Sequence, residues 1–277
     1  MLGQYLTGRN TAAVIVGGQM ISGGAGNDTL NITAGRDVKV VSGGAGNDVV
    51  NVVAGRDAQG VHGDAGNDVL NVTAGGEARS IAGGAGDDRV NVVAGGNVWE
   101  VRGGAGDDAV DIASGGRVAS ITGDAGDDRI SIRADTVLSV DGGTGDDTIV
   151  IEARTAERIA GGRGDDVIRF EGTDKASLYF AHGDGRDHVT IAGETTITFA
   201  GRSLADATIT YGEGSITVSF DDNGDSVTID YSRAALKGAE PDVELARTDR
   251  RTSDRAMPIN LGYAYYSESD GFSLTIS

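Results

Sequence analysis

The chain has 277 residues, 46 of them Gly and none Cys, with 42 acidic against 23 basic side chains and a formal net charge of -19. Without cysteine there can be no disulfide staple and no thiolate metal site, and the negative charge disfavours nucleic acids and anionic membranes as partners while favouring cations. The glycines do not follow collagen's three-residue period, and 39% hydrophobic residues argue against plain disorder, so regular repetition is the feature to look for.

Taken in chain order, MLGQYLTGRNTAAVIVGGQM at the start lacks a basic segment followed by a long apolar one, and no run of 18 apolar residues occurs anywhere. Neither a cleavable signal peptide nor a membrane span is therefore expected. Gly8 and Gly17 keep a nine-residue step seen again at Gly26 and Gly35, with Asn10 where later copies have Asp, so residues 1–22 read as a degenerate first coil.

From Gly23 the chain repeats: GGAGNDTLN at Gly23, GGAGNDVVN at Gly43, GDAGNDVLN at Gly63, GGAGDDRVN at Gly83, GGAGDDAVD at Gly103, GDAGDDRIS at Gly123, GGTGDDTIV at Gly142 and GGRGDDVIR at Gly161. The step is 20 residues five times and then 19 twice, a period that means a solenoid with one coil per repeat. Within each coil branched aliphatics alternate with polar residues, as in Leu30-Asn31-Ile32 and Val50-Asn51-Val52, which is the pattern of a half-buried strand. A further column, Val41, Val61, Ile81, Val101, Ile121, Val140 and Ile159, supplies the opposite wall of a narrow core. No proline precedes Pro241, as hydrogen-bonded ladders require.

The turns carry the candidate chemistry. Glycines let backbone carbonyls face a common centre, and the following Asp adds a carboxylate there. Coils stacked about 4.8 Å apart bring such turns together, and a cage of flexible oxygens suits Ca²⁺ better than Mg²⁺. The expected metal residues are Gly23 and Asp28, Gly43 and Asp48, Gly63 and Asp68, Gly83 and Asp88, Gly103 and Asp108, Gly123 and Asp128, Gly142 and Asp147, and Gly161 and Asp166. The preceding Asn27, Asn47, Asn67, Asp87, Asp107, Asp127, Asp146 and Asp165 are expected to point outward, adding field without bonding. Eight divalent ions would bring the charge from -19 to about -3, so calcium is expected to drive folding. A plainer alternative is that the glycines only make tight turns and the aspartates are solvated turn formers.

GGAGNDTLN and its copies resemble the glycine-rich calcium-binding nonapeptide of RTX (repeats-in-toxin) proteins, GGxGxDxUx with U a large apolar residue, over about residues 23–170. The resemblance implies an all-β protein with a right-handed parallel β-solenoid, the hand agreeing with the general preference of parallel crossovers. One departure matters: the second edge reads AGRD, AGGE, AGGN or SGGR without a repeated GGxGxD, so about seven to eight Ca²⁺ are expected in one file along one edge. About nine coils would give a rod of roughly 40 Å.

After Phe170 the period fails. GDGRD at Gly183 resembles the turn that often ends RTX arrays and offers Asp184 and Asp187 for a last ion. Residues 171–236, with a DDNGD turn between alternating strands, look like the haemolysin-type calcium-binding-related domain and are read as an all-β cap over an open solenoid end. In residues 237–277, where Arg247, Arg250, Arg251 and Arg255 cluster, SESDGFSLTIS is similar to the uncleaved signal read by type I secretion machinery; Tyr263, Tyr265, Tyr266, Phe272 and Leu274 could equally form a capping strand. The three histidines, His62, His182 and His188, make no HExxH, and no GxSxG, P-loop or dinucleotide fingerprint occurs, so no enzyme activity is expected.

The expected function is a secreted, extracellular or cell-surface calcium-binding repeat protein, non-enzymatic and structural, whose regular side face gives an opportunity for self-association. With the array beginning so near Met1, the alternative is the excised C-terminal module of a larger secreted enzyme or toxin. An ice-binding or adhesin solenoid is a further alternative, disfavoured because the regular Thr file such a surface wants is replaced by Ala25, Ala45, Ala65, Ala85, Ala105 and Ala125.

Overall fold

A computed structural model describes residues 11–15, 20–231, 243–247, 266–267 and 271–276. Two stacks of short parallel strands face each other. The first runs through Thr11–Ile15, Thr29–Ala34, Val49–Ala54, Val69–Ala74, Arg89–Ala94 and Ala109–Ser114. The second runs through Ile21–Ala25, Val38–Ala45, Ala58–Ala65, Ala78–Ala85, Val98–Ala105 and Arg117–Ala125. Every pairing joins residues 19 or 20 apart, so each coil contributes one strand to each wall and the molecule is a parallel β-solenoid of about 20 residues per coil. Gly8, Asn10 and Gly17, which define the degenerate first coil, lie outside the described residues.

The period-two alternation explains the first wall: Leu30, Val50, Leu70, Val90, Val110, Ile130, Ile149 and Ile168 are fully buried, with Ile32, Val52, Val72, Val92, Ile112, Ile132 and Ile151 beside them. Between these columns Asn31, Asn51, Asn71 and Asn91 form an outward amide ladder, each later Nδ2 donating to the preceding Oδ1 at 2.8 Å. The second wall behaves differently. Val38 and Val41 are both buried although three positions apart, because Val40 between them has φ +54°. The same left-handed residue recurs at Gly60, Ser80, Glu100, Ser120, Ser139 and Arg158.

Where the repeat shortens to 19 residues the second edge loses its glycine-containing bend. The strands then run uninterrupted from Arg129 to Thr144 and from Thr148 to Arg163, and each belongs to both walls. Parallel stacking continues into Val167–Glu171, Arg186–Thr190 and Ser226–Asp230 on one wall and Lys175–Phe180 and Glu194–Phe199 on the other. The end of the second wall is covered by the antiparallel strand Gly271–Ile276, pairing with Glu194–Phe199 and with Val243–Arg247. Phe272, Leu274 and Ile276 are buried there, as a capping strand requires. Tyr266 pairs with Phe272; Tyr263, Tyr265, Arg250, Arg251 and Arg255 lie outside the described residues. Among the described residues no helix is long and apolar enough to cross a membrane.

Candidate metal edge

The aspartates singled out in the sequence stand in one line. Asp28, Asp48, Asp68, Asp88, Asp108, Asp128, Asp147 and Asp166 are each at most 5% exposed, in a position that a solvated turn former would not occupy. Their carboxylates are used asymmetrically. From Asp48 to Asp166 each Oδ1 accepts the backbone N–H of the aspartate one coil earlier: Asp28 N–H donates to Asp48 Oδ1 at 2.7 Å, Asp88 N–H to Asp108 Oδ1 at 2.7 Å, and Asp147 N–H to Asp166 Oδ1 at 2.8 Å. The other oxygen, Oδ2, is buried without a hydrogen-bond partner in all eight.

Glycine leaves room beside each such oxygen. A Cβ on Gly43 would stand 2.6 Å from Asp48 Oδ2 and 2.7 Å from the carbonyl oxygen of Gly63 in the next coil, so only glycine keeps that space open. The same pairing of the coil's own Oδ2 with the next coil's glycine carbonyl recurs at Gly23, Gly63, Gly83, Gly103, Gly123 and Gly142, making seven complete cradles. At Gly161 the three nearest atoms all belong to Asp166, and the following turn carries His182 where earlier turns carry a glycine. Within the turns Gly84 and Gly86 adopt φ of +130° and +122°, angles costly for other residues. Asp64 and Asp124, which replace the equivalent of Gly84, sit at φ +79° instead.

The electrostatics agree with the geometry. Burial, with the neighbouring coils' carboxylates adding to it, pushes Asp68, Asp88, Asp128 and Asp166 up to about 6 and Asp108 and Asp147 to about 7, and raises Asp48, against partial relief from the backbone N–H bonds. A line of buried acceptors of this kind calls for cations. Among the described residues no three Asp, Glu or His side chains converge on one point, so an ion here would take one carboxylate oxygen per coil and backbone carbonyls for the rest. The oxygen-only donor set, with neither sulfur nor nitrogen, fits calcium.

Two findings go beyond the sequence reading. Asp187, in the altered GDGRD turn, joins the line: its Oδ1 accepts Asp166 N–H at 3.0 Å, its Oδ2 is unpartnered, and burial pushes it to about 8. The column before the file is exposed as expected but does form bonds. Asn47 N–H donates to Asn27 Oδ1 at 2.9 Å, Asp107 N–H to Asp87 Oδ1 at 3.1 Å, and Asp165 N–H to Asp146 Oδ1 at 2.8 Å. This ladder runs opposite to that of the file, so each turn is held to both neighbours. The histidines do not gather: His62 lies in register between Ser42 and Ala82, and His182 faces Asp222 at 3.5 Å.

Compared with protein families, residues 20–38, 40–58, 61–76 and 155–169 match the RTX calcium-binding nonapeptide repeat in four copies. No curated protein matches the chain.

Proposed function

From the premise that this is an RTX-type calcium-binding repeat protein, we propose that its solenoid winds up only as calcium fills the aspartate file, and that this happens after export. One observation carries the reading: an unbroken line of nine buried, unpartnered Oδ2 atoms from Asp28 to Asp187. At about 1–3 kcal/mol for each unsatisfied acceptor, nine of them weigh about 9–27 kcal/mol against folding, where a whole domain is stable by about 5–15. Bound calcium would supply divalent charge to these oxygens. Asp28, Asp48, Asp68, Asp88, Asp108, Asp128 and Asp147 would hold it with the carbonyls of Gly43, Gly63, Gly83, Gly103, Gly123, Gly142 and Gly161, and Asp166 would provide an eighth position. Binding free energy then becomes folding free energy.

Extracellular calcium modules typically work at about 10⁻⁴–10⁻³ M, so the solenoid would stay open in the cytosol and close outside. Type I secretion machinery is the partner we assign to this step. The match to the RTX calcium-binding repeat supports it, together with a solenoid that stays unwound at cytosolic calcium. Once folded, the protein is a secreted or surface-associated structural rod without enzymatic activity, its long side faces open to self-association. Far-ultraviolet circular dichroism tests the central claim: most of the β signal is lost on chelation at neutral pH and regained with millimolar calcium but not magnesium. An unchanged spectrum in chelator overturns it.

A further inference from the structure

We propose that Arg202 is a built-in counter-ion that lets the C-terminal cap fold without calcium, so that metal dependence stops at the last turn of the solenoid. The inference goes beyond the calcium reading of the file and concerns what ends it.

The carboxylate column does not continue past Asp187. The residue paired with Asp187 on the next strand is Val227, which is apolar and buried. The turn stacked there is DDNGD, residues 221–225, joined to the preceding one by Ser226 N–H donating to the Gly185 carbonyl at 2.9 Å and by Gly183 N–H donating to Asp225 Oδ2 at 2.8 Å. The acidic side chains of this last turn meet a buried guanidinium, where the buried Oδ2 atoms of the file have no hydrogen-bond partner. Arg202, with a side chain 5% exposed, donates from Nη1 to both oxygens of Asp222 at 2.7 Å, and from Nη2 to Asn223 Oδ1 at 3.0 Å and to Asp225 Oδ2. Its Cζ lies 4.4 Å from the centre of the Phe220 ring. Asn223 Nδ2 completes the turn by donating to Asp225 Oδ2 at 2.5 Å.

The consequence for charge is opposite to that along the file. Burial alone would raise the Asp225 carboxyl, yet Gly183 N–H, Asn223 and Arg202 together hold it below the ordinary value. Asp222 is lowered chiefly by its hydrogen bonds from Arg202. A guanidinium keeps its charge at every pH a protein meets and, being covalently held, cannot be removed by a chelator. The cap also has its own apolar centre, in which Phe199 stacks on Phe272 at 4.6 Å with Phe180 and Phe220 around them. It therefore has both a core and a turn whose two bonded carboxylates share a fixed cation without metal.

Hydrogen exchange read by mass spectrometry on the full chain, with calcium and with chelator, tests this. Peptides from 194–230 are expected to stay protected in chelator while those from 20–160 lose protection. Loss in both at the same calcium concentration overturns the proposal. Should the solenoid peptides instead stay protected in chelator, the calcium-coupled reading fails, and Arg202→Met still decides the present one. In chelator this variant is expected to exchange about ten-fold or more faster across 194–230, since it leaves Asp225 buried without its cation; wild-type protection would overturn the proposal. If Arg202→Met leaves the cap unprotected even with calcium, the triple variant Arg202→Met/Asp222→Asn/Asp225→Asn removes the charges together. Restored protection in chelator supports the counter-ion role, and continued exposure overturns it.

Discussion

The two edges of the solenoid solve the same turning problem with different chemistry. At the second edge glycine N–H groups tie each bend to the next: those of Gly55, Gly75, Gly95 and Gly115 donate to the alanine carbonyls one coil back at 2.8–3.0 Å. Its side chains vary through Asp37, Asp57, Glu77, Asn97 and Arg117, and the first four find partners within the protein. Asp57 Oδ1 accepts Glu77 N–H at 2.9 Å, Asn97 Oδ1 accepts Arg117 N–H at 2.9 Å, and Asp37 Oδ1, which accepts no hydrogen bond, faces Arg56 Nε at 3.7 Å. At the first edge the aspartate never varies from Asp28 to Asp166, and half of each carboxylate is left unpartnered. A tight turn does not require that aspartate, so its repetition answers to something outside the chain.

The largest effects expected from this contrast come from protons. From Asp48 to Asp187 the file's carboxyls bind protons more tightly folded than unfolded, with Asp68 raised to about 6, Asp108 to about 7 and Asp187 to about 8 from 3.8. Their charge therefore opposes folding above these values, and stability returns as pH falls through them. In chelator, the rod should be absent near pH 8 and gain β signal on acidification towards pH 4. With calcium present the order reverses, because protons compete for the same oxygens, and the calcium midpoint should rise as pH falls. A titration monitored by circular dichroism checks both directions.

Next in size, Asp88→Asn with Asp108→Asn should raise the calcium midpoint by about ten-fold or more, equivalent to about 1.4 kcal/mol, whereas Asp57→Asn at the second edge should leave it in place. Equal shifts in the two variants would erase the distinction between the edges. Gly103→Ala would place a methyl against Asp108 and 2.8 Å from the Gly123 carbonyl, with an expected cost of about 1–3 kcal/mol by calcium-dependent melting. Gly60→Ser is the mild counterpart. Its Cβ would meet Val40 at an ordinary 3.6 Å, and Ser80 and Ser120 already hold the same left-handed backbone, so a change of about 1 kcal/mol or less is expected. Of similar size, Asn71→Ala interrupts the outward amide ladder and should lower stability by about 0.5–1.5 kcal/mol without moving the calcium midpoint.

Much of this was legible in the residues because a repeat displays each requirement many times. The apolar columns from Leu30 to Ile168 and the aspartate file recur at fixed steps, and both are buried where the pattern puts them. The left-handed column was not legible. Residues as unlike as Val40, Ser80, Glu100 and Arg158 occupy it, and only Gly60 hints at positive φ; the available signal was the spacing of three between Val38 and Val41 where a strand would have two. Asp187 was visible as a candidate, but its place in the line depends on a turn lengthened around His182, which register alone reveals. Arg202 carries no local signature, because its partners lie 20 to 23 residues away in a different turn.

The change of step from 20 to 19 residues has a practical side. Asp108 N–H reaches Asp128 Oδ1 across 20 residues at 2.8 Å, and Asp128 N–H reaches Asp147 Oδ1 across 19 at 2.7 Å. Chain length was thus absorbed at the far bend, between Ser114 and Val118 in one coil and Ala134 and Val137 in the next. That bend behaves as a splice point: foreign loops grafted there would project from the rod at intervals of one coil while the aspartate spacing stayed intact, giving a ruler on which displayed peptides are set about 4.8 Å apart.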